Sequence, residues 1–411
     1  MLLEFSCSNH KSIKEEITFS ALASNDTEHQ EQILTFEKNK VLRTAVIYGA
    51  NGSGKTNFID AIAFTKQLVI NSINHQPGAL ILQRPHKLLS SSDESTYCIQ
   101  FEKNNKLYSY GFSLIDGLVN EEYLFYFPNG RKVIIFERTG NSYEAGNKFK
   151  GKFDSCIDAF KENRLFLSVA ANFSAVEEIR EAFEFFVSDL VIYRGLGSDN
   201  WVNISLMEMG KRPDIKDAVV KLLRQLGSDI KDIIIKLSDG PIVLPPLFPE
   251  ELKNLLQQQT ATKIEAKVIY DEFSIDLSEE STGVKKMLEF LYPFIEIMKG
   301  DKVIICDELE NNLHESVVSS LIKMLSELGK EKRSQLIFST HNTSLLKLDI
   351  FRRDQIWFTE MKSKGRATDM YSLAEIKNVR KDENICKGYI TGKYGAIPML
   401  NDTFAEFIRS I

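Results

Sequence analysis

Cysteine is scarce in this 411-residue chain. The five, Cys7, Cys98, Cys156, Cys306 and Cys386, are scattered and never stand in C-x-x-C spacing. That excludes a disulfide framework or a cysteine-built zinc site and suits a reducing compartment; they read as buried packing residues. Histidine is nearly as scarce, at six, so metal-hydrolase readings that need several imidazole ligands are starved of them. No stretch approaches 18 consecutive apolar residues, and Met1-Leu-Leu-Glu-Phe-Ser reads as an amphipathic strand rather than a signal peptide. The expectation is a soluble, cytoplasmic protein with no membrane partner. Positive charge is not in excess: 51 Lys and Arg face 57 Asp and Glu, a formal net charge of −6. This argues against a dedicated sequence-independent binder of nucleic acid, although an acidic total leaves room for a local basic groove. No heptad register persists beyond a couple of turns, which excludes long coiled-coil arms. Internal repeats, low-complexity tracts and flexible linkers are also lacking.

A hydrophobic fraction of 43% is enough to bury a sizeable core. The chain is organised around Gly49-Ala-Asn-Gly-Ser-Gly-Lys-Thr56, which fits G-x-x-x-x-G-K-[ST] at every fixed position. The β-branched run Thr44-Ala-Val-Ile-Tyr48 precedes it, and Asn57-Phe-Ile-Asp-Ala-Ile-Ala63 follows with apolar residues at helical spacing. The loop therefore sits between strand and helix, as a phosphate-binding loop requires. Backbone N–H groups of Asn51, Gly52, Ser53 and Gly54 then curl round the phosphates at a helix N-terminus, next to Asn57. Lys55 neutralises β- and γ-phosphate oxygens, and the Thr56 hydroxyl ligates Mg²⁺. The plain alternative, a Gly-rich turn before a helix, leaves the Lys-Thr pair without a purpose.

Taken in order, residues 1–48 read as strands at Leu2 to Cys7, Glu16 to Ser20 and ahead of the loop. Between the first two lies Ser8-Asn9-His10-Lys11-Ser12. A basic residue on such a turn either reaches phosphates or is simply solvated, and composition alone favours solvation. Thr96 to Arg138 reads as an antiparallel meander, its aromatics as sheet packing rather than base-stacking platforms. Residues 155–260 carry helical patterns, such as Ala175 to Phe186 and Ile215 to Leu226, with one strand at Ile230 to Leu237 and a Pro-rich turn at Pro241 to Pro249.

At Lys302-Val-Ile-Ile-Cys306 an apolar strand runs straight into Asp307-Glu308. Two acids at a buried strand's tip are costly unless a cation waits there. With a phosphate-binding loop present, Asp307 holds Mg²⁺ through water and Glu308 polarises the attacking water. Ser281-Thr-Gly283 precedes a helical run, and Leu336-Ile-Phe-Ser-Thr-His341 is another strand ending in a polar residue. The order of loop, S-x-G, strand plus Asp-Glu and strand plus His is that of ABC-type ATPases.

On these stretches the chain resembles the RecF/SMC-like, AAA15/AAA21-type ATPases, which include the ATPase domain of OLD proteins. Arg352-Arg-Asp-Gln-Ile-Trp-Phe358 and the ending Gly392-Lys-Tyr-Gly-Ala-Ile-Pro398 look specifically similar to the ATPase component of AbiL/RloA-type abortive-infection systems. The resemblance implies an α/β fold of ABC type with a mixed sheet, an antiparallel meander and a helical insertion. It implies one unit made of lobe I (1–150), the insertion (151–270) and lobe II (271–411). By that resemblance Lys11 touches the nucleotide, Ser281 and Gly283 form the signature that caps a partner's ATP, Asn312 and Leu313 lie in a D-loop, and His341 faces the γ-phosphate. His10 departs from the pattern by standing where an aromatic is usual. Gln83 is the sole glutamine near the place of a Q-loop and lies in no convincing motif.

The function implied is Mg²⁺-dependent ATP binding and hydrolysis in a homodimer or higher homo-oligomer. Its expected role is to regulate a separately encoded effector, an RloB-like or Toprim-like nuclease, in anti-phage defence. No Toprim domain is expected after His341, and Glu265-Ala-Lys267 lacks the aspartates a nuclease needs. The competing reading is a RecF-like DNA-repair clamp. An RloB-like or Toprim-like gene next door favours defence, and replication genes favour repair.

Overall fold

The computed structural model describes residues 1–194, 200–241, 260–309, 313–329, 331–380 and 383–397. Of the Pro-rich turn only Pro241 is among them, and the D-loop residue Asn312 lies outside. By compactness the chain divides into two units. One is Met1–Arg194 with Gly300–Leu309 and Leu321–Ile411; the other is Gly195–Lys299 with Glu310–Ser320.

In the first unit, alternation turns Leu3, Phe5 and Cys7 of the strand Leu2–Ser8 inward and Glu4 and Ser6 outward. This strand pairs antiparallel with Ile17–Ser20 on one side and Ser95–Lys103 on the other. The meander continues through Lys106–Ile115, Leu118–Tyr126, Val133–Thr139 and Ser142–Ala145, completing seven strands. Its first two turns, Asn104-Asn105 and Asp116-Gly117, have positive φ throughout. Asn, Asp and Gly tolerate that backbone, and it matches strand twist in two-residue hairpins. The meander aromatics Tyr97, Phe101, Tyr108, Tyr110 and Phe112 are buried, as sheet packing requires.

The second sheet runs in the order Leu190–Arg194, Val303–Asp307, Gln335–Ser339, Thr44–Tyr48, Ile356–Lys362 and Ala367–Ser372, parallel except for its last pair. Thr44–Tyr48, Val303–Asp307 and Gln335–Ser339 are buried along their whole length, the signature of parallel strands covered on both faces. The helix Lys55–Asn71 shares one apolar cluster with both sheets. Phe58 lies 5.8 Å from the Phe5 ring and 5.9 Å from Phe19, and the cluster extends to Ile47, Val303 and Ile337. Full burial of such a ring contributes roughly 2 to 3 kcal/mol, so the helix that carries the phosphate-binding loop is held rigidly.

The second unit packs helices Asn200–Lys211, Pro213–Gln225 and Thr282–Lys299 with a three-stranded antiparallel sheet, Asp232–Pro241, Thr260–Ile269 and Ser274–Asp276. The strand expected at Ile230 to Leu237 is the first of these; the other two follow from Thr260 onward. The helices Phe166–Phe173 and Glu177–Glu184 belong instead to the first unit. Phe166 packs on Phe136 at 4.7 Å and Phe185 on Phe101 at 4.1 Å, which draws residues 151–194 onto the seven-stranded sheet. The compact boundary thus falls at Gly195, and Thr282–Lys299 groups with the second unit rather than with Gly300–Leu309 and Leu321–Ile411. Cys7, Cys156 and Cys306 are buried as expected, whereas Cys98 and Cys386 are only half-buried.

Candidate nucleotide site

The loop at 49–56 is shaped by its backing. Gly52 and Gly54 have φ of 77° and 112°, a region that L side chains rarely adopt. A Cβ on Gly54 would stand 2.0 Å from Thr368 Oγ1, and one on Gly49 would stand 2.4 Å from Thr359 Oγ1. The same two threonines fasten the loop: Thr368 Oγ1 donates to the Ser53 carbonyl at 3.1 Å, and Ser53 and Thr359 share a hydroxyl bond of 2.7 Å. Lys55 is 5% exposed. Its ammonium donates to Gly49 O at 2.7 Å and Ala50 O at 3.2 Å, and lies 3.5 Å from His341 Nδ1 across 286 residues of sequence. Asn51, Gly52 and Thr56 are exposed, and the Asn57 amide donates to Ser12 Oγ at 2.6 Å.

Two strands away, Asp307 ends its strand 6% exposed. Ser339 Oγ donates to Asp307 Oδ1 at 2.6 Å and accepts from the Glu308 N–H at 2.8 Å. This hydroxyl fixes both acids. Glu308 adopts φ of 53°, uncommon for a residue with a side chain and often found at functional sites. Its Oε1 lies 3.7 Å from His341 Nε2. The His341 ring therefore stands between Lys55 and Glu308, joining the loop to the acid pair at the carboxyl ends of parallel strands, where α/β sheets bind ligands. Carboxylate and hydroxyl oxygens on Asp307 and Thr56, beside a Gly-rich loop at a helix N-terminus, fit Mg²⁺ and a nucleotide triphosphate.

Beyond Gly52 and Asn57 the loop opens into a cleft of about 1040 Å³, lined also by Lys11, Arg84, Lys87 and Arg366, with no carboxylate among the described residues of its wall. Lys11 donates to Asp60 Oδ2 at 2.6 Å, and Arg84 approaches the same oxygen at 3.3 Å. His10 Nε2 reaches it at 3.0 Å while Nδ1 meets Tyr97 OH at 2.8 Å. His10 fills its aromatic position by packing 5.7 Å from both Phe64 and Tyr97. Burial pushes its imidazole below the ordinary value, against the opposing pull of Asp60. Sequence reasoning did not single out Asp60, Arg84, Thr359 or Thr368. An acid on the otherwise apolar face of Asn57-Phe-Ile-Asp-Ala-Ile-Ala63 was the available signal for Asp60.

Gln83 is tied into the loop before the meander. Its amide donates to Ser95 Oγ at 2.8 Å and Leu114 O at 3.2 Å, and its carbonyl accepts from Gly117 N at 3.1 Å. In the second unit, Ser281 immediately precedes the helix Thr282–Lys299 and accepts from Val284 N at 3.3 Å; it is exposed, and Gly283 is half-buried. Glu265 pairs with Lys263 at 2.7 Å. Among the described residues no group of three or more His, Cys, Asp or Glu could hold a metal ion, and no helix is long and apolar enough to cross a membrane.

No curated protein matches the chain. Solved structures similar to it include an SMC head bound to the C-terminal winged-helix domain of ScpA, with 13% identity over 90% of this chain and 97% of that one and a TM-score of 0.44. The SMC head domain from Thermotoga maritima is 14% identical over 90% and 98%, with a TM-score of 0.41. An Smc head with an extended coiled coil, bound to the C-terminal domain of ScpA, from Pyrococcus furiosus is 12% identical over 91% and 97%, with a TM-score of 0.42. The family described as "AAA domain, putative AbiEii toxin, Type IV TA system" matches residues 45–347, from the strand before the phosphate-binding loop to beyond His341. With the greater part of its length matched, the chain belongs to this family of P-loop AAA-domain ATPases.

Proposed function

We propose that this protein binds and hydrolyses ATP with Mg²⁺ and uses the cycle as a switch, closing a homodimer that controls a separately encoded effector. The observation that supports the reading is the convergence of Lys55, His341 and Glu308, an ammonium and a carboxylate about one imidazole ring apart. The loop amides and Lys55 bind the β- and γ-phosphates, while Thr56 and Asp307 would hold Mg²⁺. The ion supplies neutralisation of charge on the transferring phosphoryl group. Glu308 orients the attacking water and accepts its proton, and His341 steadies that carboxylate from the Lys55 side.

Ser281 and Gly283, at the N-terminus of an 18-residue helix, suit the capping of a γ-phosphate held by a second copy of the chain. Two copies then share two sites about a two-fold axis. The family description, which names a putative AbiEii toxin and a Type IV TA system, is in keeping with a role in controlling a toxic effector; we place that role in bacterial anti-phage defence, with an RloB-like or Toprim-like nuclease as the effector. Mixing Lys55→Ala chains with Ser281→Arg chains tests the shared site. Each variant alone is inactive, whereas a mixed dimer regains one intact site and part of the ATPase activity. Failure to recover activity in a mixture shown by mass measurement to contain heterodimers would sink the model.

A further inference from the structure

The segment 392–397 lies against the phosphate-binding loop. Three of its six residues, Gly392, Gly395 and Ala396, are left-handed, with φ of 77°, 72° and 58°. For alanine that conformation is unfavourable because its Cβ crowds the backbone, so something else must hold it. The Ala396 carbonyl accepts two hydrogen bonds, one from the Ala50 N–H at 3.0 Å and one from Tyr389 OH at 3.1 Å. A second phenol, Tyr371 OH, donates to the Tyr394 carbonyl at 2.7 Å. Gly388 and Gly395 make room: a Cβ on either would stand 2.7 Å from Tyr394 or Tyr371.

The aromatic rings below the strap reach the rest of the site. Tyr389 lies 6.0 Å from Tyr48, the residue before Gly49, and stacks 5.5 Å from Phe358 on the strand that carries Thr359. Tyr48 OH in turn donates to the carbonyl of Asn342, next to His341, at 3.2 Å. On its other side the Ala50 carbonyl accepts from Lys55 Nζ and from the Ser53 N–H at 3.1 Å. The peptide groups flanking Ala50 are therefore gripped by the strap on one side and by Lys55 on the other. Burial pushes the Tyr389 phenol up to about 12, so its hydroxyl stays a donor at every physiological pH.

We infer that Tyr389 and Tyr371 are positioning residues of the nucleotide site: they seat residues 394–396, and the Ala396 carbonyl sets the entry limb of the loop through the Ala50 amide. The inference rests on the nucleotide-binding reading. Coupling of this kind is reciprocal, so nucleotide in the loop must also steady the strap.

The test is titration calorimetry of ATP with Mg²⁺ into the full-length wild type, Tyr389→Phe and Tyr371→Phe. Thermal melts and hydrogen exchange of the peptide spanning 388–397 accompany it. Each variant is expected to bind ATP about three- to tenfold more weakly, the range one net hydrogen bond carries, with a melting temperature lowered by about 2 °C at most. ATP is expected to slow exchange in the wild-type strap and to slow it less in the variants. A wild type that fails to bind ATP overturns the nucleotide reading itself. A wild type that binds, with both phenylalanine variants equal to it in affinity, overturns the strap. If a variant fails to fold, the wild-type exchange decides, because a strap that ATP leaves unprotected overturns the inference as well.

Discussion

The two ends of the candidate nucleotide cleft are built differently. At the phosphate end the candidate groups sit on consecutive residues or at strand tips, and short hydroxyl contacts fix them: Ser339 on Asp307, Thr359 on Ser53, Thr368 on the Ser53 carbonyl. At the open end the groups come from four distant stretches, Lys11, Asp60, Arg84 and Arg366, and a single carboxylate oxygen of Asp60 gathers two of the cations and His10. The first end owes its geometry to backbone and hydroxyl groups that seat its charged side chains one by one. The second owes it to charge, so removing one atom of charge affects several neighbours together.

That contrast can be broken most severely at Glu308. Glu308→Gln keeps the shape and removes the proposed base, so ATPase turnover should fall about 10² to 10⁴-fold with ATP affinity retained; phosphate release at the wild-type rate would place the base elsewhere. Lys55→Ala removes the main counter-charge at the phosphate end and should weaken ATP binding roughly a hundredfold, as loss of charge-assisted bonds worth about 3 kcal/mol implies. Calorimetry reads this directly.

At the open end the larger effect should be on folding. Asp60→Ala leaves His10, Lys11 and Arg84 without their shared carboxylate; because Lys11 and Arg84 are 30% and 47% exposed, water compensates part of the loss and the cost is about 1 to 2 kcal/mol. Urea denaturation should show it, with a smaller effect on ATP affinity than Lys55→Ala. The reverse order of those two effects would mean that the open end carries the phosphates. The smallest change concerns pH. His10 is held below its ordinary value, so the unfolded chain binds more protons than the folded one as pH falls through the ordinary histidine range. This contribution is fully present above that range and is lost towards acid pH. His10→Phe, which restores an aromatic at this place, should flatten the fall in melting temperature between neutral and mildly acid pH relative to the wild type.

Much of the phosphate end is legible in the amino-acid order. Gly49-Ala-Asn-Gly-Ser-Gly-Lys-Thr56 and Asp307-Glu308 are local patterns whose chemistry requires adjacent residues, and the strands around them announce themselves as apolar runs. The meander is equally plain, since its Asn-Asn and Asp-Gly turns are local backbone preferences. The boundary of the middle region is not, because whether Phe166–Phe173 joins the insertion or the first sheet depends on which aromatic surface it finds.

The loop, the acid pair and the strand–helix alternation thus follow from the chain's residues alone, because each is specified within a few positions. Folding in three dimensions was needed to decide that His341 bridges Lys55 and Glu308, that Asp60 gathers the cations of the open end, and that the Ala396 carbonyl holds the Ala50 amide. These are contacts between stretches up to hundreds of residues apart. No local propensity encodes them, because they exist only once the two sheets have closed on the helix Lys55–Asn71 and fixed the distances between their ends.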